Sequence, residues 1–267
     1  DDWLLTAGLR YDYYSDIGGT ANPRLALVYQ INPNLTVKGL YGQAFRAPSF
    51  QEMNMTSTIT MGNPNLKPET IETWELAFDY RVSNNLYLTT NFYTYSAKDK
   101  IVLVPSITQN MMIYQNNDTF EGRGLEMEAR WKINNKTSLL ANYALQYTED
   151  QLGNNIERTP QQSIYLRADR LLASHWFADI QTNWVADRKR SANDVRQEIS
   201  DYTTIDLTMR YKALEKNGWD FALGVRNMFN SDLREPSTFS SGISGVGIYY
   251  DLPLAGREWF GEFRYRF

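Results

Sequence analysis

Cysteine is absent from the 267 residues, which excludes a disulfide framework, a zinc–thiolate site and a cysteine nucleophile. Histidine is nearly absent as well, because His175 is the only one. A nucleophile–base pair would have to use it, yet its neighbour Ser174 points apart from it in any strand or turn, and no third partner is evident. No catalytic residue is therefore expected, and the chain reads as a non-enzyme. Walker-type loops, dinucleotide fingerprints and Cys/His zinc spacings are missing too, so neither a metal nor a cofactor is assigned. Positive charge is not in excess: the formal net charge is −4, which argues against nucleic acid as a partner.

Long apolar runs are also lacking. No stretch approaches the ~18–20 residues of a membrane helix, and the mean hydropathy is −0.51. This excludes a helical membrane protein only, since a transmembrane β-barrel alternates apolar with polar residues and keeps its average low. No secretory signal opens the chain. Asp1-Asp2-Trp3 leads straight into a strand-like run, so a mature, processed or truncated N-terminus is expected.

Aromatic residues, by contrast, are abundant at 14%, and 18 of them are tyrosine. They recur with period two. Trp74, Leu76, Phe78 and Tyr80 alternate with Glu75, Ala77, Asp79 and Arg81. Leu125, Met127, Ala129 and Trp131 alternate with Glu126, Glu128 and Arg130. The same pattern marks Trp176–Trp184, Ile205–Tyr211, Trp219–Val225 and Trp259–Phe267. Alternation gives each strand one apolar and one polar face.

The pattern predicts about twelve strands, at 3–14, 24–30, 35–45, 69–82, 86–98, 114–132, 137–148, 161–171, 176–186, 201–212, 219–230 and 258–267. Pro23 weakens the second. Most of these runs reach the ~9–11 residues that cross a bilayer when tilted, about twice the usual strand of a soluble sandwich. Short Asn-rich turns such as Asn32-Pro33-Asn34 and Asn134-Asn135-Lys136, and the turn from Ala213 to Gly218, alternate with long connections. The long ones are 15–23, 46–68, 99–113, 149–160, 187–200 and 231–257, the last rich in Ser and Gly and expected to be mobile. Trp or Tyr near the ends of apolar faces fits an interfacial girdle. The expected fold is all-β: an antiparallel transmembrane β-barrel wall. Trp74, Phe78, Leu125, Tyr143, Trp184, Leu207 and Phe221 are expected toward lipid. Arg81, Glu126, Asn142, Gln181, Asp206 and Arg226 are expected toward the lumen.

Several segments resemble one family. Phe45-Arg46-Ala47-Pro48 is similar to the strand-to-loop box of TonB-dependent outer-membrane receptors. Asn63-Pro64-Asn65-Leu66-Lys67-Pro68-Glu69 resembles their next box, Gly122-Arg123-Gly124-Leu125-Glu126 a strand start, and Gly224 to Asn230 the penultimate strand. The matches run in order along the chain. The resemblance implies a 22-stranded barrel around an N-terminal plug, with residues 1–267 as the C-terminal part of the barrel domain and no plug. It implies outer-membrane localisation in a Gram-negative bacterium and energy-coupled uptake of an iron complex, most readily a ferric siderophore. Haem, cobalamin or carbohydrate is the alternative ligand, and a passive channel without a plug is the alternative of another class.

The implied partners are an iron chelate, the TonB complex acting through the plug, the barrel-assembly machinery and outer-membrane lipid. Trp259, Phe263, Tyr265 and Phe267 resemble the terminal signal that the assembly machinery reads. In the 46–68 connection Arg46, Phe50, Met53, Met55 and Met61 are the candidate ligand contacts, since methionine and aromatic side chains make an adaptable apolar surface and Arg46 could pair with an anionic chelate. Self-packing of that loop is the competing expectation. Paired lumen carboxylates among many arginines are expected to form a cross-strand charge network.

Overall fold

The computed structural model describes residues 2–107, 110–156, 159–190, 194, 196–213, 218–237 and 250–267. Its elements are β1 (Trp3–Tyr14), β2 (Gly18–Asn32), β3 (Leu35–Arg46), α1 (Phe50–Asn54), β4 (Thr60–Met61), β5 (Glu69–Ser83), β6 (Leu86–Pro105), β7 (Met112–Asn134) and β8 (Thr137–Asp150). They continue with β9 (Pro160–Ala173), β10 (Trp176–Arg188), β11 (Tyr202–Tyr211), β12 (Gly218–Arg226), β13 (Arg234–Glu235), β14 (Leu252–Pro253) and β15 (Glu258–Arg266). One thirteen-stranded sheet has the order β1-β2-β3-β5-β6-β7-β8-β9-β10-β11-β12-β15, with β4 added beside β7; β13 and β14 form a separate two-stranded ladder. Sequence neighbours are thus sheet neighbours, as in a meander. No ladder joins β1 to β15 among the described residues.

The chain divides into two compact units, residues 1–78, 91–124 and 147–154 in one, and 79–90, 125–146 and 155–267 in the other. In the first, β1 pairs β2 from Trp3↔Tyr29 to Tyr14↔Gly18. The rings of Trp3 and Tyr29 stack at 3.9 Å on the apolar face. Pro23 lies inside β2 opposite Leu9, so this strand starts earlier than expected. The register with β3 begins only at Arg24, and the missing N–H of Pro23 is not needed on that side.

In the second unit the register sorts residues by face. Tyr143, Ile164 and Trp184 lie in one apolar row, and Ile180, Leu207 and Val225 in another. Asn142, Tyr165 and Asn183 form a polar row, as do Gln181 and Asp206. On the polar face Arg167 donates to Asp179 at 2.6 Å and Asp169 at 2.9 Å, and Gln181 donates to Asp179 at 2.7 Å. This is a cross-strand charge network. Asn32 and Asn134 side chains accept the backbone N–H two residues on, at 2.9 and 2.8 Å, which closes two of the short turns.

Among the described residues a buried apolar core is almost missing. The buried apolar residues described are Leu66, Ile101, Ala186, Val225 and Leu233. Leu9, Trp74, Leu223 and Phe263 are 73%, 58%, 59% and 80% exposed. Each such side chain left in water forgoes roughly 1.5–3 kcal/mol. Only an apolar solvent on that face makes the sheet stable, and a bilayer is that solvent.

Other boundaries differ from expectation. β12 stops at Arg226 because Asn227 and Asn230 take φ of 45° and 55°, outside any strand. The Asn227 side chain bonds Ser231 in both directions at 2.9 Å, closing that turn. The 46–68 connection contains α1 and β4, and the 231–257 connection contains β13 and β14. The expected turn at Ala213–Gly218 and the Ser/Gly-rich middle of the last long connection fall largely on 214–217 and 238–249, outside the described residues.

Candidate functional site

β3 delivers Arg46 to the base of the 46–68 loop, and Pro48, which cannot donate to a ladder, is buried beside it. The chain then turns into α1 through a capping box. The Ser49 hydroxyl accepts the Glu52 N–H at 3.2 Å, and the Glu52 carboxylate accepts the Ser49 N–H at 2.7 Å. Arg46 grips the same carboxylate at 3.0 and 3.1 Å, and grips Glu69 at 2.7 Å through two nitrogens. Glu69 also accepts the N–H of Ile101 at 2.7 Å. One guanidinium therefore ties β3, α1 and the start of β5 together. Burial alone would raise the Glu52 carboxyl; hydrogen bonds from Arg46 and the Ser49 amide outweigh it and hold the group below its ordinary range.

The rest of the loop is pinned by backbone. Gly62 N–H donates to Met55 O at 2.6 Å and Asn63 N–H to Glu52 O at 2.9 Å. A Cβ on Gly62 would lie 2.6 Å from the Met55 nitrogen, so this approach requires glycine. β4 pairs Thr60 and Met61 with Met112 and Ile113 of β7. Asn63 donates to Tyr114 O at 3.0 Å, and Asn116 exchanges bonds of 2.8 and 2.9 Å with Lys67. Leu66 is 4% exposed beneath.

The structure thus brings the five candidate residues into one loop but separates their situations. The Arg46 guanidinium is committed to two carboxylates. Phe50, at the first turn of α1, is 80% exposed. Met53, Met55 and Met61 are half-buried. The loop self-packs through these bonds and leaves Phe50 exposed and the three methionines half-buried. Of the partners, Asn63 and Glu69 belong to the box already noted in the sequence, whereas sequence reasoning misses Glu52 and Asn116. Of those two, only Glu52 carries a local signal, the Ser49-x-x-Glu52 spacing.

A second cluster lies where the 187–200 connection meets the stem of the 231–257 connection. Arg188, 2% exposed, donates to the carbonyls of Arg234 and Ser200, lies 3.5 Å from Glu235 and sits 4.7 Å over the Tyr202 ring. Arg190 binds Asp251 with both terminal nitrogens at 2.7 and 2.6 Å. Arg196 binds Asp194 at 2.6 Å and Ser237 at 2.9 and 2.8 Å. The Arg196 guanidinium holds the Asp194 carboxyl at about 2, and Arg190 holds Asp251 below its ordinary range.

In β15, Phe263 packs 6.5 Å from Phe221 and Tyr265 4.8 Å from Trp219, while Phe267 meets Tyr265 at 5.0 Å. Trp259 pairs Val225 in register. His175 bonds Lys212 O at 3.0 Å and stacks on Tyr211 at 5.3 Å, in the turn expected for it.

The chain matches the family described as "TonB dependent receptor-like, beta-barrel" over residues 1–228. It is 35% identical over 114 residues to the vitamin B12 transporter BtuB of Vibrio cholerae serotype O1, covering 43% of this chain and 17% of that protein. It is 24% identical over 284 residues to the ferric enterobactin receptor of Pseudomonas aeruginosa, covering 91% of this chain and 38% of that one. A crystal structure of a variant of that receptor, PfeA, in complex with enterobactin superposes with a TM-score of 0.82 at 22% identity. That superposition covers 98% of this chain and 43% of PfeA, and it speaks for the fold. The chain thus spans well under half the length of each of these relatives. A meandering sheet with one apolar face, carrying these boxes in order, belongs to the TonB-dependent receptor β-barrel family of the Gram-negative outer membrane.

Proposed function

We propose that this chain supplies wall and outer loops to a receptor for energy-coupled uptake of an iron complex, most readily a ferric siderophore. The observation that carries the reading is the 46–68 loop, where Arg46, Glu52 and Glu69 lock the chain beside an exposed Phe50 and half-buried methionines. A locked loop with adaptable apolar side chains suits capture of a bulky chelate. In this reading Phe50, Met53, Met55 and Met61 contact the ligand, and Arg46 acts by positioning them. A plug in the complete receptor would couple to TonB, and the barrel-assembly machinery and lipid are its other partners. Among the relatives, one is named for ferric enterobactin and one for vitamin B12.

Growth of a receptor-deleted strain under iron limitation, restored by the complete gene only when a particular ferric siderophore is supplied, is the test. Rescue by no iron chelate, with uptake of cobalamin instead, would overturn the iron reading. Haem is disfavoured because no histidine lies between Arg46 and Asn63, and imidazole is a usual axial ligand to haem iron. A Soret shift on mixing the complete receptor with haem, lost when Met53, Met55 and Met61 are changed, would reverse that preference.

A further inference from the structure

The arginines of the 187–200 connection do not face outward. Arg188, Arg190 and Arg196 each carry a side chain with 11% exposure or less. All three reach onto the other long connection: Arg188 to Arg234 and Glu235, Arg190 to Asp251, and Arg196 to Ser237. The acceptors are matched in kind, since Asp194, Glu235 and Asp251 supply three carboxylates for three guanidiniums. The receiving connection is itself braced. β13 and β14 pair Arg234 with Pro253 and Glu235 with Leu252, and Leu254 N–H donates to Leu233 O at 2.9 Å. At its base Asn230 accepts the N–H of Arg257 at 2.9 Å.

A buried, bidentate arginine pair is a strong link, because losing one partner strands the other charge away from water. Such links join pieces of chain far apart in sequence: Arg190 and Asp251 are separated by 61 residues. We propose that the described part of the 187–200 connection, residues 188–190, 194 and 196–200, and the 232–237/250–254 stem form one rigid strap that moves as a body, rather than two independent loops. Its consequence goes beyond ligand identity and does not depend on it. A solute that touches either connection biases both, since the two share one local opening equilibrium.

Amide hydrogen exchange on the complete receptor in lipid nanodiscs tests this with two variants on opposite sides. Arg190→Lys keeps the charge but loses the fork, and Asp251→Asn keeps the shape but loses the charge. In the strap reading Arg190→Lys speeds exchange of the Leu254 amide, and Asp251→Asn speeds exchange of the Arg196 amide, each by about tenfold or more. The amides of β10 from Trp176 to Ala186, and those of β11, keep their rates. Faster exchange confined to the connection that carries the substitution would overturn the proposal. So would equal loosening of β10 and β11, which would show that the pairs hold the wall and not a strap.

Discussion

Arg46 illustrates how one side chain can be read two ways until its neighbours are known. At a loop base a guanidinium can wait for an anionic ligand or hold the loop, and here two carboxylates take it. Arg46→Ala is expected to cost only about 1 kcal/mol, because the side chain is 47% exposed and solvent screens the pairs. The effect should be local: faster protease cleavage within 49–62 with unchanged heat-modifiable mobility of the whole receptor. Asp194 gives a second expectation. Its folded value, about 2, lies below the ~3.9 of an unfolded aspartate. A lowered value contributes stability that is fully present above the unfolded value and is lost as pH falls through the folded one. Exchange protection around Arg196, corrected for intrinsic rates, should therefore hold from pH 7 down to about 4 and fail toward 2. Asp194→Asn should remove it throughout.

At the scale of the strand, facing is the quantity to test. Ile180 and Asn183 lie three residues apart in β10 on opposite faces. Ile180→Arg places a charge against hydrocarbon and should cost roughly 2–4 kcal/mol, whereas Asn183→Arg points into the polar face and should cost little. Urea unfolding of the two receptors in vesicles measures the difference. β15 carries its own expectation. Removing Phe267 takes away a ring packed on Tyr265 at 5.0 Å and the end of the terminal aromatic row. Folded outer-membrane yield should fall, and unchanged heat-modifiable folding would count against a signalling role for that row.

Strands were the part most legible in the sequence, because a period of two over many residues is a local property. The exceptions have local causes as well: the left-handed asparagines that end β12, and a proline tolerated in β2 where the β3 register has stopped. The site was legible only in outline. The capping box lies within four residues, but Arg46 meets Glu69 across 23 and Arg190 meets Asp251 across 61. Such pairs depend on which strands adjoin, and a single sequence does not carry that.

For the whole molecule the decisive feature is the pair of unpaired edges. β1 ladders with β2, and β15 with β12, and each has a second edge with no strand beside it among the described residues. In hydrocarbon each unsatisfied backbone group costs several kcal/mol, so such edges require partners. We propose that further strands complete the wall. A polypeptide of residues 1–267 alone should then fail to give uniform single-channel conductance in planar bilayers, and a uniform conductance would favour the passive-channel alternative.

A protein bound for the outer membrane has first to be exported through the inner one. Machinery there retains segments by their summed apolarity, and a continuous run of about 20 such residues is held as a membrane anchor. Among the described residues no helix is long and apolar enough to cross a membrane, and the mean hydropathy of the chain is −0.51. Alternation intersperses polar residues among the apolar ones, so no run of the unfolded chain reaches the length that is held as an anchor. The greasy surface comes into being only when the strands pair and sort their side chains by face. The pattern that lets the sheet live in lipid also conceals that destination until the chain arrives.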